Sequence, residues 1–383
     1  MEEDLILSKA ELISGGAVRL PKGYRPPVKF SRSTAGPGAG SRSLVFSFGG
    51  MRVKKEISDD GEFLYDPASG VISKDGRAVA RDVSVIPAEF HCPGQAFFNL
   101  DQRCRFDCLF CSSPLLKVNA TRRLTDEMII DLIRASDDNV RSIALTSGIP
   151  GTVSESAERM IGCVSKLRRA FPDLPIGVEP YVDDISQIDG LHEAGADEIK
   201  INVETATDGL FRVFCPSLDR DNIFRMLAHA VEVFGRGKVS SNIIVGLGEY
   251  DDEVANMIER LCSMGVTPTV RGLRTDGCRA QILSDNGAER PSPERLIRIA
   301  ESQRMIMERY GLDSNTFDTM CLRCTCCDLV PFIDLLGNAS SLTVHKPCIS
   351  YRGWVRRIRR YSAWPPCSSL SASDTADRMT RGY

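Results

Sequence analysis

The first 91 residues of this 383-residue chain contain no cysteine, although the chain holds 14 in all. Any thiolate centre must therefore be assembled from residue 92 onward. Long apolar runs are missing too. No stretch of 18 apolar residues occurs, so the sequence offers no membrane-spanning helix. The opening Met1-Glu-Glu-Asp-Leu is acidic and lacks the basic-then-apolar profile of a signal peptide. A net charge of −3 supplies no overall basic field for nucleic acid. Fourteen cysteines without an export signal point to a reducing compartment, where cysteines serve metals or catalysis more often than disulfides. The expected location is the cytoplasm.

With 42% hydrophobic and 26% charged residues, the chain suits one large domain with a small appendage. Residues 1–91 mix short strand-like runs (Ser43-Leu-Val-Phe-Ser-Phe, Gly70-Val-Ile-Ser) with turn-formers such as Ala35-Gly-Pro-Gly and Asp59-Asp-Gly, a β-rich lead-in. Arg52-Val-Lys-Lys reads there as a solvated basic patch. Residues 92–312 alternate apolar strands (96–101, 142–147, 175–181, 197–203, 240–246, 267–273) with helical stretches. Such alternation implies a parallel sheet with right-handed crossovers, an α/β fold forming a partial or complete (β/α) TIM-like barrel. Working residues are then expected at the C-terminal ends of the strands. A Cys-rich segment, 313–337, follows. The last part, 338–383, is basic around Trp354-Val-Arg-Arg-Ile-Arg-Arg and serine-rich beyond, and is expected to be disordered.

The first of these strands runs directly into Cys104-Arg-Phe-Asp-Cys108-Leu-Phe-Cys111, a C-x3-C-x2-C spacing. Three thiolates on one loop can hold three corners of a [4Fe–4S] cube and leave the fourth iron open to a substrate. The alternative is structural zinc, which wants four ligands. No fourth Cys or His lies within twelve residues after Cys111.

The triplet, with the aromatic Phe110 before its last cysteine, resembles the signature of the radical S-adenosylmethionine (SAM) superfamily. The resemblance implies a [4Fe–4S] cluster whose open iron is chelated by SAM. It also implies reductive cleavage of SAM to a 5′-deoxyadenosyl radical that takes hydrogen from an unactivated C–H bond. A reductant such as ferredoxin or flavodoxin is implied as partner.

Later strand ends extend the resemblance. Leu145-Thr-Ser-Gly-Ile-Pro-Gly is loosely similar to the superfamily's Gly-Gly-Glu region for the methionine end of SAM, with only Gly148 in place and the Glu missing; Ser147 and Gly148 are the candidate contacts it offers. Gly177-Val-Glu-Pro-Tyr puts Glu179 and Tyr181 on one face, as SAM or substrate contacts or simply as residues leading into a helix. In Glu198-Ile-Lys-Ile-Asn-Val-Glu-Thr, Lys200, Asn202 and Glu204 alternate with apolar residues. In a barrel that polar face points inward and requires a ligand or a network. Asn202-Val-Glu-Thr resembles the Asn-x-Glu-Thr of lipoyl synthases, which implies SAM contacts from Asn202 and Glu204. Gly246-Leu-Gly-Glu resembles the turn that contacts adenine there, which implicates Gly246 and Gly248. Arg271, on the last strand, reads most simply as an arginine salt-bridged at the barrel mouth.

Cys321-Leu-Arg-Cys324-Thr-Cys326-Cys327 places four cysteines in seven residues, a pattern for an auxiliary Fe–S cluster or a zinc ion. Adjacent Cys326 and Cys327 can hardly face one ion, so three of the four are expected to serve, joined by Cys278 or Cys92. Cys348 and Cys367 read as incidental.

The whole resembles the biotin synthase/lipoyl synthase branch. It departs from ordinary lipoyl synthases, whose auxiliary cysteines precede the triplet, and is more similar to archaeal biotin-synthase-related proteins. What this implies is a radical enzyme with sulfur insertion as one outcome. The substrate would be a small molecule or protein-bound acyl group, and a second radical SAM subunit is a candidate partner. Two alternatives stand: radical methylation, rearrangement or C–C bond formation, and a non-catalytic metal-binding interaction protein.

Overall fold

A computed structural model describes residues 2–31, 42–88, 90–115, 124–136, 140–275 and 277–335. The glycine-rich turn after Ala35 and the expectations for 338–383, including Cys348 and Cys367, lie outside the described residues.

The segment before residue 92 opens with helix α1 (Glu2–Ser14). Seven short strands follow: β1 (Val18–Arg19), β2 (Ser43–Phe48), β3 (Met51–Glu56), β4 (Phe63–Asp66), β5 (Val71–Lys74), β6 (Arg77–Ala80) and β7 (Ser84–Ile86). They form two small sheets, ordered β1-β4-β5-β6 and β3-β2-β7. Leu12, Phe46, Phe63 and Ile72 close a local core between them. One expectation is corrected here. Lys54 and Lys55, taken for a solvated patch, are only 2% and 6% exposed. Lys55 Nζ caps the carbonyl of Gly15 at 2.8 Å, and Lys54 turns toward buried cysteines.

The main unit then alternates: β8 (Gln95–Asn99), α2 (Asp126–Arg134), β9 (Ser142–Thr146), α3 (Val153–Ala170), β10 (Ile176–Glu179), α4 (Ile185–Glu193), β11 (Glu198–Lys200), α5 (Asp208–Phe214), α6 (Arg220–Phe234), β12 (Val239–Val245), α7 (Asp251–Ser263) and β13 (Thr267–Gly272). Side-chain caps start these helices. Thr152 and Glu155 make a reciprocal capping box on α3, and Asp184, Thr207 and Asp219 cap α4, α5 and α6. The six strands pair in parallel and in strict chain order, β8 through β13. β8 and β13 are the two ends of the sheet, so the barrel is partial. All seven residues of β12 are buried, as a strand covered on both faces requires.

Helices α8 (Ala280–Asp285), α9 (Pro293–Arg309) and α10 (Met320–Cys324) complete the described chain. α1 packs against α9, and Ser14 Oγ bonds Pro291 O at 2.6 Å. The segment around α10 enters the barrel. A Cβ on Gly177 would meet Thr319 Oγ1 at 2.0 Å, and Glu198 accepts backbone N–H bonds from Asp318 and Thr319. Gly177 and Glu179 share a face of β10, so the C-terminal segment fills the lumen beneath the strand ends. No helix among the described residues is long and apolar enough to cross a membrane.

Candidate active site

The cysteine loop is held by the loop that leaves the neighbouring strand. Gly148 N donates to Asp101 O at 2.7 Å and Arg105 N to Ile149 O at 2.7 Å. A Cβ on Gly148 would lie 2.2 Å from Arg103 O, so only glycine permits this approach. From the other side, Leu109 N donates to Phe214 O at 2.9 Å. Cys104, Cys108, Cys111 and Phe110 thereby line one cavity of about 450 Å³, together with Ser147 and Gly148.

The chemistry of the three sulfurs suits metal thiolates. Burial raises the pKa of Cys104 and Cys111 as free thiols, while hydrogen-bond donors work the other way: the backbone N–H groups of Ile149 and Phe106 toward Cys104, the hydroxyl and N–H of Ser113 toward Cys111. Buried Cys215 lies beside Cys108. Among the described residues no three Cys, His, Asp or Glu side chains converge on a single-ion site. The thiolates of a cube each meet a different iron, so their donor set is a spread one.

Each strand of the half-barrel sends a polar side chain into this cavity, from its C-terminal part in Asn99, Thr146, Glu179, Lys200 and Arg271 and from mid-strand in Asn242. Asn99, Thr146 and Glu179 stand in one row of the sheet register. Lys200 pairs with Glu179 at 3.0 Å. Asn202 Nδ2 donates to Glu179 Oε1 at 2.9 Å, while Asn202 Oδ1 accepts from Asn242 N at 3.2 Å. Burial works to raise the Glu179 pKa, but Lys200, Asn202 and Arg271 outweigh it and hold the carboxyl below its ordinary value. Asn99 Oδ1 is buried and has no hydrogen-bond partner among the described residues. An orphaned acceptor in the cavity wall is what a ligand donor would satisfy.

Lys200, Asn202 and Glu204 all face the cavity, although regular strand pairing stops at Lys200. Glu204 adopts φ 61°, a left-handed conformation unfavourable for a side-chain-bearing residue. Two backbone bonds to β12 impose it: Glu204 N to Asn242 O at 3.0 Å and Ile244 N to Glu204 O at 2.8 Å. Strain of this kind costs about 1–3 kcal/mol and concentrates at functional sites. Burial pushes the Glu204 carboxyl up to about 7.

The glycine turn sits elsewhere. Gly246 and Gly248, at φ 112° and 113°, lie outside the residues lining the cavity. Gly246 N donates to Glu249 Oε1 at 2.7 Å, and its carbonyl accepts from Glu289 N at 2.8 Å. The turn thus docks the segment that leads to α9.

Arg271 is more than a surface ion pair. Its guanidinium forks onto buried Asp328 at 3.0 and 2.9 Å and lies 3.2 Å from Cys321 Sγ. Lys200 Nζ lies 3.5 Å from the same sulfur. Cys324, Cys326 and Cys327 are buried with Cys92 against Val45 and Ala88, and Cys326 and Cys327 reach the cavity wall. Cys326 and Cys327 therefore border the same chamber as the triplet. Cys278 lies in the short turn Gly277–Arg279, outside the cavity lining. Asn99, Asn242 and Lys54 escaped the sequence reading. For Asn99 the available signal was a polar residue inside an apolar strand just before the cysteine loop.

Residues 99–261 match the model of the Radical SAM superfamily. The chain carries a radical SAM domain. It is 27% identical to a biotin synthase of Cutibacterium acnes over 170 residues, 43% of this chain and 46% of that protein. It is 22% identical to a lipoyl synthase of Halorubrum lacusprofundi over 205 residues, 49% of this chain and 64% of that protein. The matches thus span less than two thirds of these relatives. Among solved structures, a maturase of the [FeFe]-hydrogenase superposes with a TM-score of 0.47 at 16% identity, covering 57% of this chain and 50% of that one. Methylornithine synthase gives 0.43 at 16% identity, covering 58% and 70%. The superfamily implies a [4Fe–4S] cluster and SAM. The three clustered thiols, their N–H donors and the orphaned Asn99 acceptor fit that pair of cofactors.

Proposed function

We propose that this protein is a radical SAM enzyme that takes a hydrogen atom from an unactivated C–H bond of a substrate held in the 450 Å³ cavity. The observation that carries the reading is the meeting, in one chamber, of the three-cysteine loop with polar side chains from all six parallel strands. When bound, the cluster and SAM supply one electron and a 5′-deoxyadenosyl group, which leaves as a radical alongside methionine.

The chain's own residues perform the remaining tasks. Cys104, Cys108 and Cys111 hold three irons, and Phe110 lies beside them as part of the cavity wall. Ser147 and Gly148 flank the loop where the methionine end of SAM is proposed to lie. Glu179, fixed by Lys200 and Asn202, presents a buried carboxylate to a cationic amine. Asn202 and Glu204 are assigned to the SAM ribose, while Gly246 and Gly248 act at one remove by fixing the end of β12. The lumen-filling C-terminal segment closes the chamber from below, keeping water from the radical.

The Cys321–Cys327 group is proposed to hold a second metal centre. Cys326 and Cys327 stand on the chamber wall, which supports sulfur insertion, for which a cluster held there would be the source of sulfide. Methylation, rearrangement or C–C bond formation with an electron-transferring centre is the second reading. A low-potential one-electron protein such as ferredoxin or flavodoxin is the proposed reductant.

The test is anaerobic reconstitution with iron and sulfide, followed by SAM and dithionite. Wild-type protein should yield 5′-deoxyadenosine and methionine in equal amounts, and a Cys104/Cys108/Cys111 triple alanine variant should yield neither. SAM cleavage by that variant would sink the proposal. Loss of auxiliary iron and sulfide during a single turnover, with sulfur in the product, favours insertion; an intact centre favours the second reading.

A further inference from the structure

We propose that Cys92, Cys324, Cys326 and Cys327 together hold an iron–sulfur cluster, and that Cys321 is not one of its ligands. The inference rests on the reading of the C-terminal cysteines as a metal centre and assigns its ligands.

Cys92 comes from a different part of the chain, three residues before β8, where it bridges to Gln95. It is 1% exposed; Cys324, Cys326 and Cys327 are 5%, 1% and 8% exposed. Cys324 stands close enough to Cys92 and Cys326 to interact with both, and Cys326 Sγ donates to Cys324 O at 3.2 Å. Cys327 stands close enough to Cys324 to interact with its charge. Neighbours such as Cys326 and Cys327 cannot converge on one ion, and no single-ion site forms among the described residues. A cluster removes the conflict, because each thiolate meets its own iron.

Charge gives an independent argument. Lys54 is 2% exposed and lies within electrostatic reach of all four cysteines. Its ammonium meets only His91 Nδ1, at 3.4 Å, and no carboxylate pairs with it among the described residues. A buried lysine with no carboxylate partner calls for negative charge beside it. Beside four iron-bound thiolates, which carry net negative charge, the same lysine is the counter-ion. Its backbone is fixed for that role, since Lys54 N donates to Cys326 O at 2.9 Å.

Cys321 sits differently. Its sulfur is taken by Lys200 at 3.5 Å and Arg271 at 3.2 Å, and it is only half-buried. The ligand set that follows ties the residues before β8 to those after α10. The N-terminal β-rich part, through Lys54, then becomes a wall of the metal site.

The test counts iron and acid-labile sulfide per chain after anaerobic reconstitution. Wild type should hold about eight irons, as two cubes. If it holds only about four, and the triple alanine variant holds none, the metal-centre reading itself is wrong. With that reading upheld, Cys92→Ser should fall to about four irons while still producing 5′-deoxyadenosine, because the remaining cluster sits on the triplet. That retained cluster also reports that the variant is folded. Cys321→Ser should keep the wild-type count. A wild-type count in Cys92→Ser, loss of all iron from it, or a fall to about four in Cys321→Ser would each overturn the assignment. So would zinc bound at this site without sulfide.

Discussion

Lys200 and Glu179 form an ion pair at 3.0 Å between adjacent barrel strands, with the lysine side chain only 1% exposed. The pair sits between Asn202, which bonds Glu179, and the C-terminal segment, through Cys321. Burial alone would lower the Lys200 pKa, but Cys321 and Glu179 together raise it above its ordinary value.

Removing one partner leaves the other charge in a chamber wall. Lys200→Met should therefore destabilise the protein by about 3 kcal/mol in chemical denaturation. Glu179→Gln in the same chain should recover part of that loss, because the stranded charge is gone. A double-mutant cycle should return a coupling of about 1–3 kcal/mol. Purely additive effects would mean the two residues act independently.

Glu204 should make stability depend on pH. Its carboxyl rises from an ordinary 4.5 to about 7. Between those values the folded chain keeps a proton that the unfolded chain has released. The contribution is therefore fully present below about pH 4.5 and is lost as pH rises through about 7. It amounts to at most about 3 kcal/mol. Melting curves of cofactor-free protein from pH 5 to pH 8 should show wild type falling relative to Glu204→Gln as pH rises. Parallel curves would rule the effect out.

Two glycines should separate the two ends of the chamber. In Gly148→Ala the new methyl meets Arg103 O, and the cysteine loop must shift. Binding of iron at the triplet and cleavage of SAM should drop, with a stability cost of about 1–3 kcal/mol. In Gly177→Val the side chain meets Thr319 and Met320, and the C-terminal segment is pushed from the lumen. Iron at the C-terminal cysteines should fall while the triplet keeps its own. Limited proteolysis near residue 320 should become faster in the second variant and stay unchanged in the first.

The alternation of apolar strands and capped helices was enough to place six parallel strands in order, since βαβ units have one hand and one neighbour rule. The spacing of Cys104, Cys108 and Cys111 is local, and a local loop carries its chemistry in the sequence. The same holds for Lys200, Asn202 and Glu204, whose alternation marks an inward face. Other features depended on contacts distant in sequence. Lys54 and Lys55 looked like surface because charge is ordinarily solvated, yet they are buried by elements that include residues some 270 positions away. At Gly246 the close approach is to Glu289 and the chain leading to α9, a contact no local pattern could show. Arg271 reaches Asp328 and Cys321, which no pattern on its own strand could show. By itself the sequence determined the run of six parallel strands and the three-cysteine loop at the end of the first, because both follow from short-range periodicity and spacing. Only the tertiary structure decided that Cys92 joins Cys324, Cys326 and Cys327 around Lys54, because burial brings together residues that the chain keeps more than 200 positions apart.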